Sequence, residues 1–149
     1  QFFYGTGAVC SMPDFSKFTP SETRKDATVN YGSVSGSAWT GLNAHDQFSA
    51  LWTGGLTITQ EGTYTFYINS DDGSKLFMDG DYLVNNDGCH GMRTYSGSMY
   101  LQAGLHDVRL EFFENGGGAG MIFSYTGPDT GNSAIVVPHT VLSETGTGG

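Results

Sequence analysis

Asp71, Asp72 and Gly73 are the residues of this chain best placed to do chemistry. The two carboxylates close the run Thr63-Tyr64-Thr65-Phe66-Tyr67-Ile68-Asn69-Ser70, which otherwise reads as a buried strand. Neighbouring side chains of an extended backbone point to opposite faces. The two carboxylates therefore meet at one point only if the backbone turns sharply or the peptide between them is cis. Where they meet, they make a hard oxygen site suited to calcium. The alternative is a β-turn in which Asp accepts backbone hydrogen bonds and Gly takes a positive φ. Asn115 with Gly116, Gly117 and Gly118 is a second such place. The glycines let carbonyls turn toward an ion without Cβ crowding, or Asn115-Gly116 is simply the turn of a hairpin.

The remaining inventory is poor in catalytic chemistry. Glu111 and Glu114 are three apart on an expected strand and face opposite sides, so they make no glycosidase acid/base pair by themselves. No Ser-His-Asp or Cys-His spacing invites a nucleophile, and no glycine loop opens a helix for phosphate. His45, His106 and His139 are dispersed and form no ligand pair. Asp87 and His90 lie in a long middle loop, where they either line a ligand pocket or order the loop. Trp39 and Tyr95 are candidates for an aromatic wall against a sugar, Trp52 reads as core, and Asp79 before Gly80 reads as a turn former.

The elements that must position these residues are all β. Leu56 and Ile58, then Tyr64, Phe66 and Ile68, alternate with polar partners across a turn at Glu61-Gly62. Residues 75–78 form a short strand closed by Asp79-Gly80, a hairpin signal. Residues 98–102 and 107–114 follow, then Met121, Phe123 and Tyr125 alternate again. No helical period is sustained, so short strands at this spacing predict an antiparallel β-sandwich or barrel without a helix longer than three turns. Its core is expected to hold Tyr64, Phe66, Leu110, Phe112 and Phe123. Residues 14–45 read as an irregular N-terminal arm and 85–91 as a loop. The expected division is one domain over residues 1–142 and a flexible linker or tail over 143–149.

Composition narrows the setting. The 149 residues (15.9 kDa, 13% aromatic) can bury a full core, and 15 acidic against 6 basic residues give a net charge of −9. That balance argues against nucleic acid and against an anionic membrane surface as partners. No run approaches the roughly 20 apolar residues of a membrane span. The start, Gln1-Phe2-Phe3-Tyr4, has no basic-then-apolar leader and reads as that of a trimmed domain. Cys10 and Cys89 stand in no metal-type spacing and are expected to pair as a disulfide in an oxidising compartment.

The ordered set of motifs resembles the PA14 domain family. It comprises Leu-Trp-Thr-Gly at 51–54, Gly-Thr-Tyr-Thr-Phe at 62–66 and Ser-Asp-Asp-Gly-Ser-Lys-Leu-Phe-Met-Asp-Gly at 70–80. Asn-Asn-Asp-Gly at 85–88, His-Gly-Met at 90–92 and Glu-Phe-Phe-Glu-Asn-Gly-Gly-Gly-Ala-Gly at 111–120 complete it. The resemblance implies a β-sandwich. From the family's sugar-binding adhesins it also implies a calcium ion held by Asp71 and Asp72 across a cis peptide. The Asn115 side chain and the carbonyls of Gly117 and Ala119 would complete the protein ligands, with two neighbouring sugar hydroxyls closing the shell and His90 near the ligand. The expected function is that of a non-enzymatic, calcium-dependent carbohydrate-binding module, extracellular and monomeric, used in adhesion or glycan targeting. The alternative is a structural or protein-interaction domain without a metal, in which Asp71 and Asp72 only turn the chain.

Overall fold

Alternation sets the strands. Along residues 62–71, Tyr64, Phe66, Ile68 and Ser70 are buried while Thr63, Thr65, Tyr67 and Asn69 face outward. The computed structural model describes residues 1–6, 10–35, 39, 47–116 and 118–144. Its strands are β1 (Phe2–Tyr4), β2 (Asn30–Ser35), β3 (Phe48–Ile58), β4 (Gly62–Asp71), β5 (Ser74–Met78) and β6 (Asp81–Asn86). They continue with β7 (Arg93–Leu101), β8 (Gly104–Glu114), β9 (Gly118–Thr126), β10 (Ile135–Val136) and β11 (Leu142–Ser143). Among the described residues, helix is confined to three single 3-10 turns, Phe15–Lys17, Pro128–Thr130 and His139–Val141.

The strands form two antiparallel sheets. One runs β1-β3-β8-β5-β6 with β11 also on β3, and the other β10-β9-β4-β7 with β2 also on β9. Between them lies the expected core: Tyr64, Phe66, Leu110, Phe112 and Phe123 are all buried. Phe66 stacks on Phe123 and Tyr64 on Tyr125 across β4 and β9, with centroids 6.0 Å apart in both pairs. Trp39 closes one flank of the core against Phe48, Phe112 and Tyr31. A second, smaller apolar layer of Phe3, Phe15 and Leu51 covers the outside of the first sheet.

Two stretches are more regular than their composition suggests. Within the expected arm, Asn30–Ser35 is a strand because Tyr31 turns inward onto Trp39 while Asn30 stays in solvent. The strand ending at Leu101 begins at Arg93 rather than Ser98. Its start is polar because its alternate residues Thr94 and Ser96 face water. The end of β11, Ser143, pairs with Gly55.

Asp79-Gly80 is a two-residue turn with positive φ at both positions (51° and 84°), joining β5 to β6. Asp79 also ties that turn to β8: Oδ1 accepts the Asp107 N–H (2.8 Å) and Oδ2 meets His106 Nδ1 (2.6 Å). Nε2 of the same ring bonds to the Gln102 carbonyl (2.7 Å). Burial opposes the charged imidazole, but the Gln102 and Asp79 contacts outweigh it and raise the His106 pKa above its ordinary 6.5. A raised folded-state pKa stabilises fully below the unfolded value and is lost as pH rises through the folded value. His106→Gln should therefore cost most stability at pH 6 and below, and progressively less above 6.5. Paired urea melts from pH 5 to 9 measure this. A cost independent of pH would contradict it.

Candidate functional site

The ends of β4 and β8 and the starts of β5, β7 and β9 meet at one end of the sandwich, where the register sets Asp71 opposite Gly120 and Ser74 opposite both Phe112 and Asn86. The Asp71-Asp72 peptide there is cis. Carboxylate oxygens of Asp71, Asp72 and Glu114 all lie within 4.8 Å of one another, Asp72 and Glu114 being buried and Asp71 half-buried. Two oxygens each about 2.4 Å from one calcium lie at most about 4.8 Å apart, so these three groups have the spacing of ligands around a single ion. Three carboxylates this close repel one another unless a cation lies between them.

Asp72 is also the knot of the loops. Its Oδ1 accepts the His90 N–H (3.1 Å) and its Oδ2 the Asn115 N–H (2.8 Å), fastening the β6–β7 and β8–β9 loops to the end of β4. Below it lies a buried polar floor. Ser70 Oγ donates to the Asp72 carbonyl (2.8 Å) and meets Ser74 Oγ (2.6 Å). The fully buried Asn86 amide donates to the Arg93 carbonyl (2.7 Å), the Ile68 carbonyl (3.3 Å) and Ser70 Oγ (3.2 Å). The middle loop is clamped from outside by the Cys10–Cys89 disulfide and by Asp87, whose Oδ2 accepts the Met12 N–H (3.3 Å) and pairs with Lys75 (3.8 Å).

The expected site residues divide as follows. Asp71 and Asp72 converge. Asn115 reaches Asp72 through its backbone N–H. His90 likewise contributes a backbone N–H, while its ring lies against the carbonyls of Asn86 (2.8 Å) and Gly91 (2.9 Å). Ala119 belongs to β9, and its carbonyl accepts the Trp39 indole N–H (3.0 Å), so that oxygen is already engaged. Gly117 and His45 lie outside the described residues. Asp87 orders the loop, Trp39 is core, and Tyr95 is 45% exposed beneath the Arg93 guanidinium. Trp52 packs against the core with its indole N–H on Asp26.

Glu114 and Asn86 escaped the sequence reading. Glu114 shares the inward parity of Leu110 and Phe112, a signal present in the sequence. Glu111, three residues before it on β8, faces the opposite side. A cleft of about 930 Å³ opens elsewhere, between residues 23–27 and 142–144, and none of the three converging acids lines it.

The PA14 domain model matches residues 12–137. The chain belongs to the PA14 domain family. The anti-sigma-I factor RsgI3 of Acetivibrio thermocellus is 34% identical to this PA14 domain over 71 residues, 47% of the chain and 11% of the relative. The chain thus spans about a tenth of that relative's length. The PA14 domain of the MpAFP antifreeze protein shares the fold with a TM-score of 0.79 at 18% identity, covering 98% of this chain and 89% of that one. A sugar-binding PA14 domain from an RTX adhesin does so with a TM-score of 0.65 at 24% identity, over 80% and 76%.

Gly73 makes the site possible by having no side chain: a Cβ there would collide with the Phe113 ring and lie 3.0 Å from Asp87 Oδ1 and the Gly88 nitrogen. Its carbonyl also accepts the Phe113 N–H (3.0 Å). Gly73→Ala should therefore destabilise by about 1–3 kcal/mol, the usual cost of overpacking. Chemical denaturation measures it, and an unchanged midpoint would show that the ring moves freely.

Proposed function

We propose that this PA14 domain is a non-catalytic, calcium-dependent carbohydrate-binding module. The observation that carries the reading is the convergence of the Asp71, Asp72 and Glu114 carboxylates at a loop-built end of the sandwich. Calcium takes six to eight oxygens. Three carboxylates, with the Asn115 side chain and a carbonyl of the 115–117 loop as further donors, leave places for two neighbouring hydroxyls of a sugar. Glu114 is added to the ligand set that the sequence suggested, and Ala119 is the weakest member of that set because of its bond to Trp39. When bound, the ion would supply a Lewis-acidic anchor for the diol. The protein's own part is to hold the acids in place through Ser70, Asn86 and the two N–H groups on Asp72.

The neighbour described as a sugar-binding domain of an adhesin supports the ligand class. The anti-sigma-I factor relative supports a place as one segment of a longer regulatory protein. The Cys10–Cys89 bond supports exposure to an oxidising compartment, outside the cell.

Calcium at a hundred times its Kd should add about 2.7 kcal/mol of stability, reversed by EDTA. Asp72→Asn should abolish that gain and glycan binding together. Glu114→Gln should weaken calcium binding at least tenfold while leaving a folded sandwich. Acidification should weaken ion and glycan binding in parallel, because protons compete with the cation for the same oxygens. Melting curves with and without calcium, followed by a glycan array with and without EDTA, check all of this. Glycan binding that survives EDTA, or a melt indifferent to calcium, would overturn the reading and leave a structural or protein-interaction domain.

A further inference from the structure

The outward face of the second sheet has a composition unlike the rest of the molecule. The chain has 15 acidic and 6 basic residues. None stands at the outward positions from Thr63 to Asn69 on β4, from Thr94 to Tyr100 on β7, or from Ile122 to Thr126 on β9. Tyr67 stands half-buried at its centre, with Ser96 beside it on β7 and Ser124 on β9. Thr65, one step along β4, lies between Ser98 and Thr126, and its hydroxyl meets that of Ser98 at 2.7 Å. Near the far rim, Tyr100 is 59% exposed.

We propose that this face is a docking platform for a neutral polysaccharide laid along β4, with one sugar of the polymer reaching the Asp71-Asp72 site. Side-chain hydroxyls both donate and accept, as sugar hydroxyls do, so a hydroxyl lattice can match a sugar polymer in many registers. The Tyr67 ring supplies the amphipathic surface on which the apolar side of a pyranose rests. Charge selects the class of polymer. With no Lys or Arg on the face and a net charge of −9, an anionic chain is repelled, and the outward positions from Thr63 to Asn69 offer no carboxylate to pair with a cationic one. A protein partner would call for a desolvated core of aromatic or Arg anchors, and here hydroxyls dominate.

Geometry supplies the direction. Outward positions on β4 run Thr63, Thr65, Tyr67, Asn69 and then Asp71, so the platform leads without a break into the acidic site. From residue 63 to residue 71, at about 3.3 Å per residue, it is roughly 26 Å long, room for several sugar rings in line. Only the end at Asp71 rests on the calcium reading above; the face itself does not.

Affinity electrophoresis through gels holding mixed-linkage β-glucan, galactomannan or xyloglucan, with polygalacturonate as the anionic control, tests the proposal. The wild-type domain should be retarded by at least one neutral polymer and not by polygalacturonate. Tyr67→Ala should weaken that retardation at least tenfold while calcium binding by calorimetry is unchanged. Because Tyr67 is partly buried, Ser96→Glu on the exposed β7 provides a second variant, expected to weaken retardation similarly with an unchanged melt. Retardation unaffected by both variants, retardation by polygalacturonate alone, or no retardation by any neutral polymer would overturn the proposal. So would a concentration-dependent dimer that Ser96→Glu breaks, since the face would then be an interface between copies. If calcium binding is absent while Tyr67→Ala still abolishes retardation in EDTA, the calcium reading fails and the platform stands.

Discussion

One carboxylate holds this end of the molecule together. Asp72 accepts backbone N–H groups from His90, 18 residues on, and from Asn115, 43 residues on. Neither loop has regular pairing of its own at those points, and each would otherwise leave donors without partners. A charge-assisted bond to a carboxylate is worth about 1.5–3 kcal/mol, roughly twice a neutral one. The shape of the site follows from these two bonds. They draw Asn115 and the middle loop to the end of β4, beside Asp71 and Glu114.

The rest of the fold keeps that knot in place. The β3–β8 and β4–β9 ladders fix the heights at which β8 and β4 end, and so bring Glu114 level with the Asp pair. Aromatic packing between the sheets resists sliding of one ladder on the other, since a shift by one residue would turn Phe66, Phe112 and Phe123 out of the core. The Cys10–Cys89 bond closes a separation of 79 residues and anchors the loop that carries His90. In the chain-entropy model such a closure is worth about 4 kcal/mol. Ladders, core and disulfide together hold a largely buried cluster of like charge in a rigid frame.

The sequence made much of this legible where the physics is local. Period-two alternation over residues 62–70 and 108–112, with the Asp79-Gly80 turn, pointed to an antiparallel sandwich or barrel and to its core because one face of each strand is buried, and the resemblance to PA14 domains chose the sandwich. The Asp pair stood out because two adjacent carboxylates meet at one point only across a sharp turn or a cis peptide. Illegible were features decided by tertiary contact. Tyr31 makes a strand of a Gly- and Ser-rich stretch by stacking on Trp39. Asn86 looks like loop chemistry until its amide is found filling the floor of the site. His90 suggested its ring, whereas the fold uses its backbone. Ala119 fitted a spacing pattern, yet its carbonyl faces an indole donor that arrives from 80 residues away.

The central claim is that Asp71, Asp72 and Glu114 hold one calcium ion. A crystal soaked in calcium, with anomalous differences measured, tests it most directly. The account predicts a single strong peak about 2.3–2.6 Å from oxygens of all three carboxylates. Water at that position, or an ion bound elsewhere with Glu114 turned away, would contradict it.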